Sequence, residues 1–408
     1  MGREGRGSYE EDTWKPDFAR AGGGRPEGGR YQRYTPPHIA EATPRLQSDT
    51  ATLSERAGTA VRELNQHAAS LGSLESLGRQ LMRSEALASS WIEGLQLSHR
   101  KLAAATTTEL SNYKAQEVLG NLKAMGRAIE IGADAHDLNP EHIKQIHYEL
   151  AAEAGAQMTQ IAGQFRDEQG WIGGTSPVTA DYVGPAEGKV PGLIDDLSEF
   201  MNRDDLSPVT QAAMAHAQFE LIHPFGDGNG RVGRCLIHTI LRRRGTATGY
   251  VPPISLVLGA NKDAYIAGMD SYEASQVSGW PDPRLDIWIA HFSRAVEASA
   301  VHAREFSDSV HDLQEQWRED IGPVRRDAAV LPLIDALPSY PFITARIGIE
   351  LTGKSRPAVI DALDRLAQTG ALTRHRNQRK GDGWEAKQLF GLLKEFEHAV
   401  GPGQKTQA

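Results

Sequence analysis

The sequence predicts a mainly α-helical protein with one β-hairpin set into the bundle and a winged helix-turn-helix domain at the C-terminus. Three observations predict it. Apolar residues recur at spacings of three and four through most of the chain, as one face of a helix requires. Between Gly163 and Gly192, glycines and prolines instead alternate with short β-prone pieces, Trp171-Ile172 and Tyr182-Val183, which read as a hairpin or an ordered loop. After Ile321-Gly322-Pro323 the style changes to short helices joined by tight turns.

A chain of 408 residues is too long for one ordinary core. The expected order is a flexible Gly-rich leader over 1–40, an N-terminal helical region over 41–135, a core over 136–305, a linker helix over 306–329 and the winged helix-turn-helix over 330–400. The first 33 residues hold eight glycines among charges and few aliphatics, too little apolar surface to fold alone. Val118, Leu122, Met125 and Ile129 mark one helix, and Ile143, Ile146 and Leu150 mark another that starts at Asn139-Pro140. A helix from about Ser207-Pro208 carries Ala212, Ala215, Phe219 and Ile222 on one side. It should end at His223, because Pro224 disfavours helical geometry in the residue before it. The next begins near Gly230 and packs Leu236 and Ile240, and two more cover Lys262–Glu273 and Leu285–Val301. Beyond the break, Val330–Leu337 is a short helix. Thr344–Leu351 and Ser355–Gln368, joined by Thr352-Gly353, form the helix-turn-helix with Val359, Leu363 and Leu366 inward. Ala371-Leu372 and Gln388-Leu389-Phe390 are the expected two strands of its wing.

Composition narrows the function. The chain is 39% hydrophobic and 24% charged, the balance of a globular protein. A net charge of -9 argues against coating nucleic acid by bulk electrostatics. A local exception lies at Thr352–Lys380, with seven Lys/Arg against two Asp. The single cysteine, Cys235, excludes an intrachain disulfide and a cysteine zinc site, and its apolar neighbours suggest a buried small side chain. No apolar run is long enough to span a bilayer and no hydrophobic signal core opens the chain, so a cytoplasmic protein without membrane contact is expected.

The chemistry is concentrated in His223-Pro224-Phe225-Gly226-Asp227-Gly228-Asn229-Gly230-Arg231-Val232-Gly233-Arg234. Gly228 and Gly230 free the backbone for positive φ and close ligand approach where a loop enters a helix. Unpaired N–H groups and the positive end of the helix dipole then point at one spot. Arg231 and Arg234, three apart, lie on adjacent parts of one helix face, and two guanidinium forks there suit a polyphosphate. Asp227 offers a hard carboxylate suited to magnesium. His223, across the loop, can take a proton from a nucleophile. Phe225 reads as an anchor packing the loop into the core.

This segment matches the signature of the Fic family, HPFx(D/E)GNGRxxR, at every defined position. The resemblance extends from about Thr52 to Val301. Gly163-Gln164-Phe165-Arg166 and the stretch to Pro191 resemble the family's flap, which aligns the target segment. Asn261 and Tyr265 resemble an element that contacts adenine. The resemblance implies AMP transfer from ATP to a Ser, Thr or Tyr hydroxyl of a target protein. His223 would be the general base and Asp227 the magnesium ligand. Gly228, Asn229 and Gly230 would stabilise the α-phosphate, Arg231 grip the β-phosphate and Arg234 the γ-phosphate. Upstream, Ser89-Ser90-Trp91-Ile92-Glu93-Gly94 resembles the family's inhibitory motif, (S/T)xxxE(G/N), which implies an ion pair between Glu93 and Arg234 in place of the γ-phosphate. Ser89, Glu93 and Gly94 are its defined positions.

Two readings stand beside this one. The same site could transfer another phosphate-linked group, such as UMP, phosphate or phosphocholine. The protein could also be a nucleotide-sensing regulator acting on DNA through residues 330–395, with Ser355 and Arg356 facing the major groove and Arg374, Arg376, Arg379 and Lys380 touching phosphates. That module could equally bind protein or hold a homodimer together.

Overall fold

A computed structural model describes residues 5–15, 28–70, 74–107, 113–376 and 382–400. It is mainly helical, and its strands form three small sheets. The chain divides into two compact units, each assembled from separated stretches. One comprises Met1–Gly58, Lys123–Thr246 and Asp263–Arg294, the other Thr59–Leu122, Ala247–Lys262 and Ala295–Ala408.

The first unit is built around the helix Pro208–Ile222, which has Pro208 at its first turn and buries 13 of its 15 residues. Burial runs all round the helix and takes in Thr210, Gln211, His216 and Gln218 with the apolar residues. The single face expected from Ala212, Ala215, Phe219 and Ile222 is therefore part of a fully covered cylinder. The helix Asn229–Arg243 packs along it. Gly233 permits the approach, since a Cβ there would come within 2.5 Å of Glu220 Oε1 and 3.1 Å of the Phe219 ring. Trp288, from the helix Pro283–Ile321, donates its indole N–H to the Ala213 carbonyl at 2.9 Å. The helix Pro140–Ala151 starts as expected, with the Asn139 side chain accepting from Glu141 N at 3.1 Å and His142 N at 3.3 Å. Cys235 is buried, as its neighbours suggested.

Part of the expected flexible leader is structured. Ser8–Trp14 and Gly29–Thr35 pair as an antiparallel hairpin, with Glu10 opposite Arg33 and Asp12 opposite Tyr31. Opposite charges across the strands give it register: Arg33 bridges Glu10 and Asp12. It folds on the unit rather than alone. Tyr34 is buried, donates its hydroxyl to the Glu273 carbonyl at 2.9 Å, and meets the Tyr182 ring edge-on.

In the second unit, Leu87, Leu102 and Val118 form a small core among the helices Leu74–Ile92, His99–Thr107 and Tyr113–Asp134. Downstream, Ala345–Thr352 and Arg356–Gln368 form the helix pair, capped by Thr344 and turned at Gly353, whose φ is 63°. Val359, Leu363 and Leu366 face inward as expected.

Two expectations for the C-terminal half need correction. No linker helix begins at 306, because Pro283–Ile321 is one helix of 39 residues. Neither Gly nor Pro interrupts it before Gly322, and Val296, Ala300, Ala303, Phe306 and Val310 continue its buried face. The strands near the expected wing are Thr373–His375 and Gly383–Glu385, joined by Phe342–Thr344 in a sheet with Gly383–Glu385 central. Gln388-Leu389-Phe390 instead lies in the helix Lys387–Val400, because Leu389, Leu393 and Phe396 recur at helical spacing and are all buried.

Candidate active site

The Pro208–Ile222 helix ends at His223, whose backbone sits at φ 50°, ψ 59°. It is the only non-glycine with positive φ among the described residues. Such a conformation costs an L-residue roughly 1–2 kcal/mol, so the surroundings must impose it. Arg166 does so from the flap. Its Nε donates to the His223 carbonyl at 2.8 Å, and its main-chain N–H to the Pro224 carbonyl at 2.8 Å. Its guanidinium also reaches the carbonyls of Glu168 at 2.8 Å and Pro185 at 2.6 Å, tying both arms of the flap to the loop. The His223 ring is oriented by a contact from Nδ1 to the Glu220 carbonyl at 3.3 Å. A carbonyl only accepts, so Nδ1 carries the proton and the neutral ring has its lone pair on Nε2, as a general base requires.

The loop is pinned at its centre by Asn229. Phe225 N–H donates to Asn229 Oδ1 at 2.8 Å, and Asn229 Nδ2 donates to the Phe225 carbonyl at 2.8 Å. Phe225 is the anchor the sequence suggested: it is buried, stacked on His147 with centroids 3.8 Å apart, and packed near Phe165 and Phe219. Gly228 has φ 80°, and a Cβ on it would meet Leu150 Cδ2 at 2.7 Å. Any side chain there would be strained in backbone and space alike.

Around this turn lie the expected signature residues. Asn229 opens the Asn229–Arg243 helix and Gly230 follows within its first turn. Asp227 keeps its side chain 63% exposed, while Arg231, buried, approaches its Oδ1 at 3.4 Å. Arg234, one turn on, is among the largest fully buried side chains. Tyr265 lies in the core of the same unit, its hydroxyl 2.7 Å from His216 Nε2. Asn261, Ser89, Glu93 and Gly94 belong to the other unit. There Ser89 is in the last turn of the Leu74–Ile92 helix, and Gly94 has φ 83°. The expected flap strands pair antiparallel, Trp171 with Val183 and Ile172 with Tyr182. Trp171 and Ile172 are exposed.

Two supporting histidines escaped sequence reasoning. His147 Nδ1 accepts from Gly163 N–H at 2.9 Å, which leaves Nε2 to donate to the Asp227 carbonyl at 3.1 Å. It thereby links the flap's start to the signature loop. Its position beside Ile146 and one turn before Leu150, on the apolar face, was the available signal. Burial pushes His147 down to about 4. Burial, with the Arg234 charge added, pushes His216 down to about 3. Both stay neutral in the fold, whereas the unfolded chain takes up protons near 6.5. Their contribution to stability is therefore complete above pH 6.5 and is lost as pH falls toward the folded values. Unfolding free energy should drop by about 1.4 kcal/mol per pH unit per histidine between pH 6.5 and 4. In denaturant titrations at pH 7 and 5, His147→Gln, which can keep both hydrogen bonds, should remove one histidine's share of that slope.

A helical fold with a Gly-rich loop opening a buried helix, behind a strained histidine and beneath a hairpin, defines a Fic-type protein. The Fic/DOC family pattern matches residues 137–241, and the Fic/DOC family N-terminal pattern matches residues 51–130. The chain thus carries a Fic/DOC domain preceded by that family's N-terminal domain. It is 28% identical over 138 residues to protein adenylyltransferase fic-1 of Caenorhabditis briggsae, covering 33% of this chain and 24% of that one. It is 37% identical over 93 residues to protein adenylyltransferase Fic of Drosophila willistoni, covering 22% and 17%. The matches thus span less than a quarter of these relatives' lengths. A crystal structure of a Fic family protein from Desulfovibrio desulfuricans G20 shares the fold, with a TM-score of 0.53 at 19% identity over 84% of this chain and 97% of that one.

Proposed function

We propose that this protein is a protein adenylyltransferase, moving AMP from ATP to a Ser, Thr or Tyr hydroxyl of a target protein, with Glu93 restraining it through Arg234. The observation that carries this reading is the complete His223–Arg234 signature folded at the N-terminus of a buried helix, with His223 Nδ1 directed at the Glu220 carbonyl. In this reading the target hydroxyl gives its proton to His223 Nε2 as its oxygen attacks the α-phosphorus and diphosphate departs. Asn229 and the Gly228–Gly230 main chain stabilise the charge growing on the α-phosphate. Arg231 and Arg234 hold the β- and γ-phosphates, and Asn261 meets the adenine. The Tyr265 hydroxyl, already engaged by His216, serves this site from the core. The exposed Trp171-Ile172 strand of the flap aligns the acceptor segment.

Asp227 fits magnesium by its chemistry. One exposed carboxylate suits an ion that keeps waters and shares phosphate oxygens. Among the described residues no three His, Cys, Asp or Glu side chains converge, so the ion would come with the nucleotide. Held by Asp227, it would supply positive charge against the phosphates. The proposal sets this chemistry in the cytoplasm; among the described helices none is long and apolar enough to cross a membrane.

We read residues 330–400 as a winged helix-turn-helix that contacts protein. Arg374, one of the residues expected on DNA phosphates, is engaged by Asp364 at 2.6 Å and Asp382 at 2.5 Å. Ser355, Arg356 and Arg376 are exposed, while Arg379 and Lys380 lie outside the described residues.

The test uses α-labelled and γ-labelled ATP with magnesium, and compares wild type, Glu93→Gly and His223→Ala, alone and with cell lysate. Glu93→Gly should raise protein-bound α-label by roughly 5–150-fold, the range of ordinary coupling energies. Equal labelling of wild type and Glu93→Gly would remove the restraint from the proposal. Protein-bound γ-label would mean phosphate transfer instead, and no label from any variant would favour the nucleotide-sensing regulator.

A further inference from the structure

The Leu74–Ile92 helix ends in a Schellman turn. Gly94 N–H bonds to the Trp91 carbonyl at 2.9 Å and Leu95 N–H to the Ser90 carbonyl at 3.0 Å, around Gly94 at φ 83°. Glu93 is thus the cap residue, placed by main-chain geometry. The carbonyl just before it, of Ile92, accepts from the Lys262 ammonium at 2.8 Å. A cation at a helix C-terminus meets both that carbonyl and the negative end of the dipole.

Lys262 directly follows Asn261, and the helix Ile254–Ala260 directly precedes it. That short helix is the seat of the restraining helix. Gly259 lies under its last turn, where a Cβ would come within 3.0 Å of Ile92 Cγ1 and 3.2 Å of the Trp91 ring. Two turns earlier, the buried Glu85 carboxylate accepts from Ser255 N–H at 2.8 Å and Ser255 Oγ at 2.5 Å. The short helix is therefore tied to the long one at two points, by Glu85 to Ser255 near its start and by Lys262 to Ile92 just past its end. Both joints lie within one compact unit.

We propose that Lys262 is a positioning residue for the Glu93 restraint, coupling the segment that carries Asn261 to the end of the Leu74–Ile92 helix. The inference rests on the restrained-transferase reading. With Lys262 in place, the cap that presents Glu93 is fixed to the Asn261 segment. Without the ammonium, the last turn loses a side-chain tie to that segment, and Glu93 competes less well with a γ-phosphate. Lys262 is an exposed residue, so its replacement should leave the fold intact.

The test measures ATP and ADP dissociation constants calorimetrically, with magnesium, for wild type, Glu93→Gly, Lys262→Met, Lys262→Arg and the Glu93→Gly/Lys262→Met double variant. ADP lacks the group with which Glu93 competes and serves as the internal control. Lys262→Met should tighten ATP roughly fivefold, the net scale of one ordinary hydrogen bond, and leave ADP unchanged. It should add nothing in the Glu93→Gly background, and Lys262→Arg should behave as wild type. If Glu93→Gly tightens ATP while Lys262→Met does not, the positioning role is wrong and the restraint stands. Equal weakening of ATP and ADP in both backgrounds would overturn it too, by making Lys262 part of the nucleotide site. No effect of Glu93→Gly itself would refute the underlying restraint.

Discussion

His223→Ala should lower AMP transfer by about 10²–10⁴-fold, the usual contribution of a positioned general base, while nucleotide affinity stays near wild type. The separation follows from how the residue is held. Its strained backbone is fixed by main-chain groups: its N–H bonds to the Phe219 carbonyl at 2.9 Å, and its carbonyl takes Arg166 Nε at 2.8 Å. Neither bond involves the imidazole. The substitution removes the 3.3 Å contact from Nδ1 to Glu220 and leaves these main-chain bonds in place, so the melting temperature should move little. The phosphate-facing groups expected from the signature start at Asp227 and are held by Asn229 and His147, which the substitution does not touch. Single-turnover transfer in the Glu93→Gly background, with ATP affinity measured alongside, gives the clearest readout. Loss of affinity in parallel with transfer would mean that the ring holds the loop rather than moving a proton.

Legibility from sequence divides along the range of the interactions. The helix over Lys262–Glu273, the start at Asn139-Pro140 and the stop before Pro224 were readable because capping, proline sterics and apolar spacing act within a turn or two. The signature loop was readable for the same reason, since its parts fall within twelve consecutive residues. What the sequence could not display were partners far apart in the chain. Arg166 holds a carbonyl 57 residues away, and His147 one 80 residues away. The N-terminal hairpin failed as a sequence expectation because its stability comes from Tyr34 reaching Glu273, 239 residues on. The wing was misplaced by a more local error. A short apolar run such as Gln388-Leu389-Phe390 fits either state, and Leu393 and Phe396 decide for helix.

Asn229→Ala should damage both fold and chemistry, and the two losses can be told apart. The Asn229 amide closes the loop by giving and accepting one hydrogen bond each with the main chain of Phe225, both at 2.8 Å and both buried. Truncation strands an N–H and a carbonyl away from water, at about 1–3 kcal/mol each, so the melting temperature should fall by several degrees. The proposed stabilisation of the α-phosphate would go with it, for a further ~10²–10³-fold loss of transfer. Asn229→Asp sharpens the test because it keeps the shape. One carboxylate oxygen can still accept from Phe225 N–H, but the other would face the Phe225 carbonyl and a bound phosphate, repelling both. Aspartate should therefore transfer AMP no better than alanine. An aspartate variant that melts low yet transfers normally would confine Asn229 to holding the loop. One that melts normally and transfers nothing would place its role at the phosphate, because the closed loop would then survive without the amide that was thought to close it.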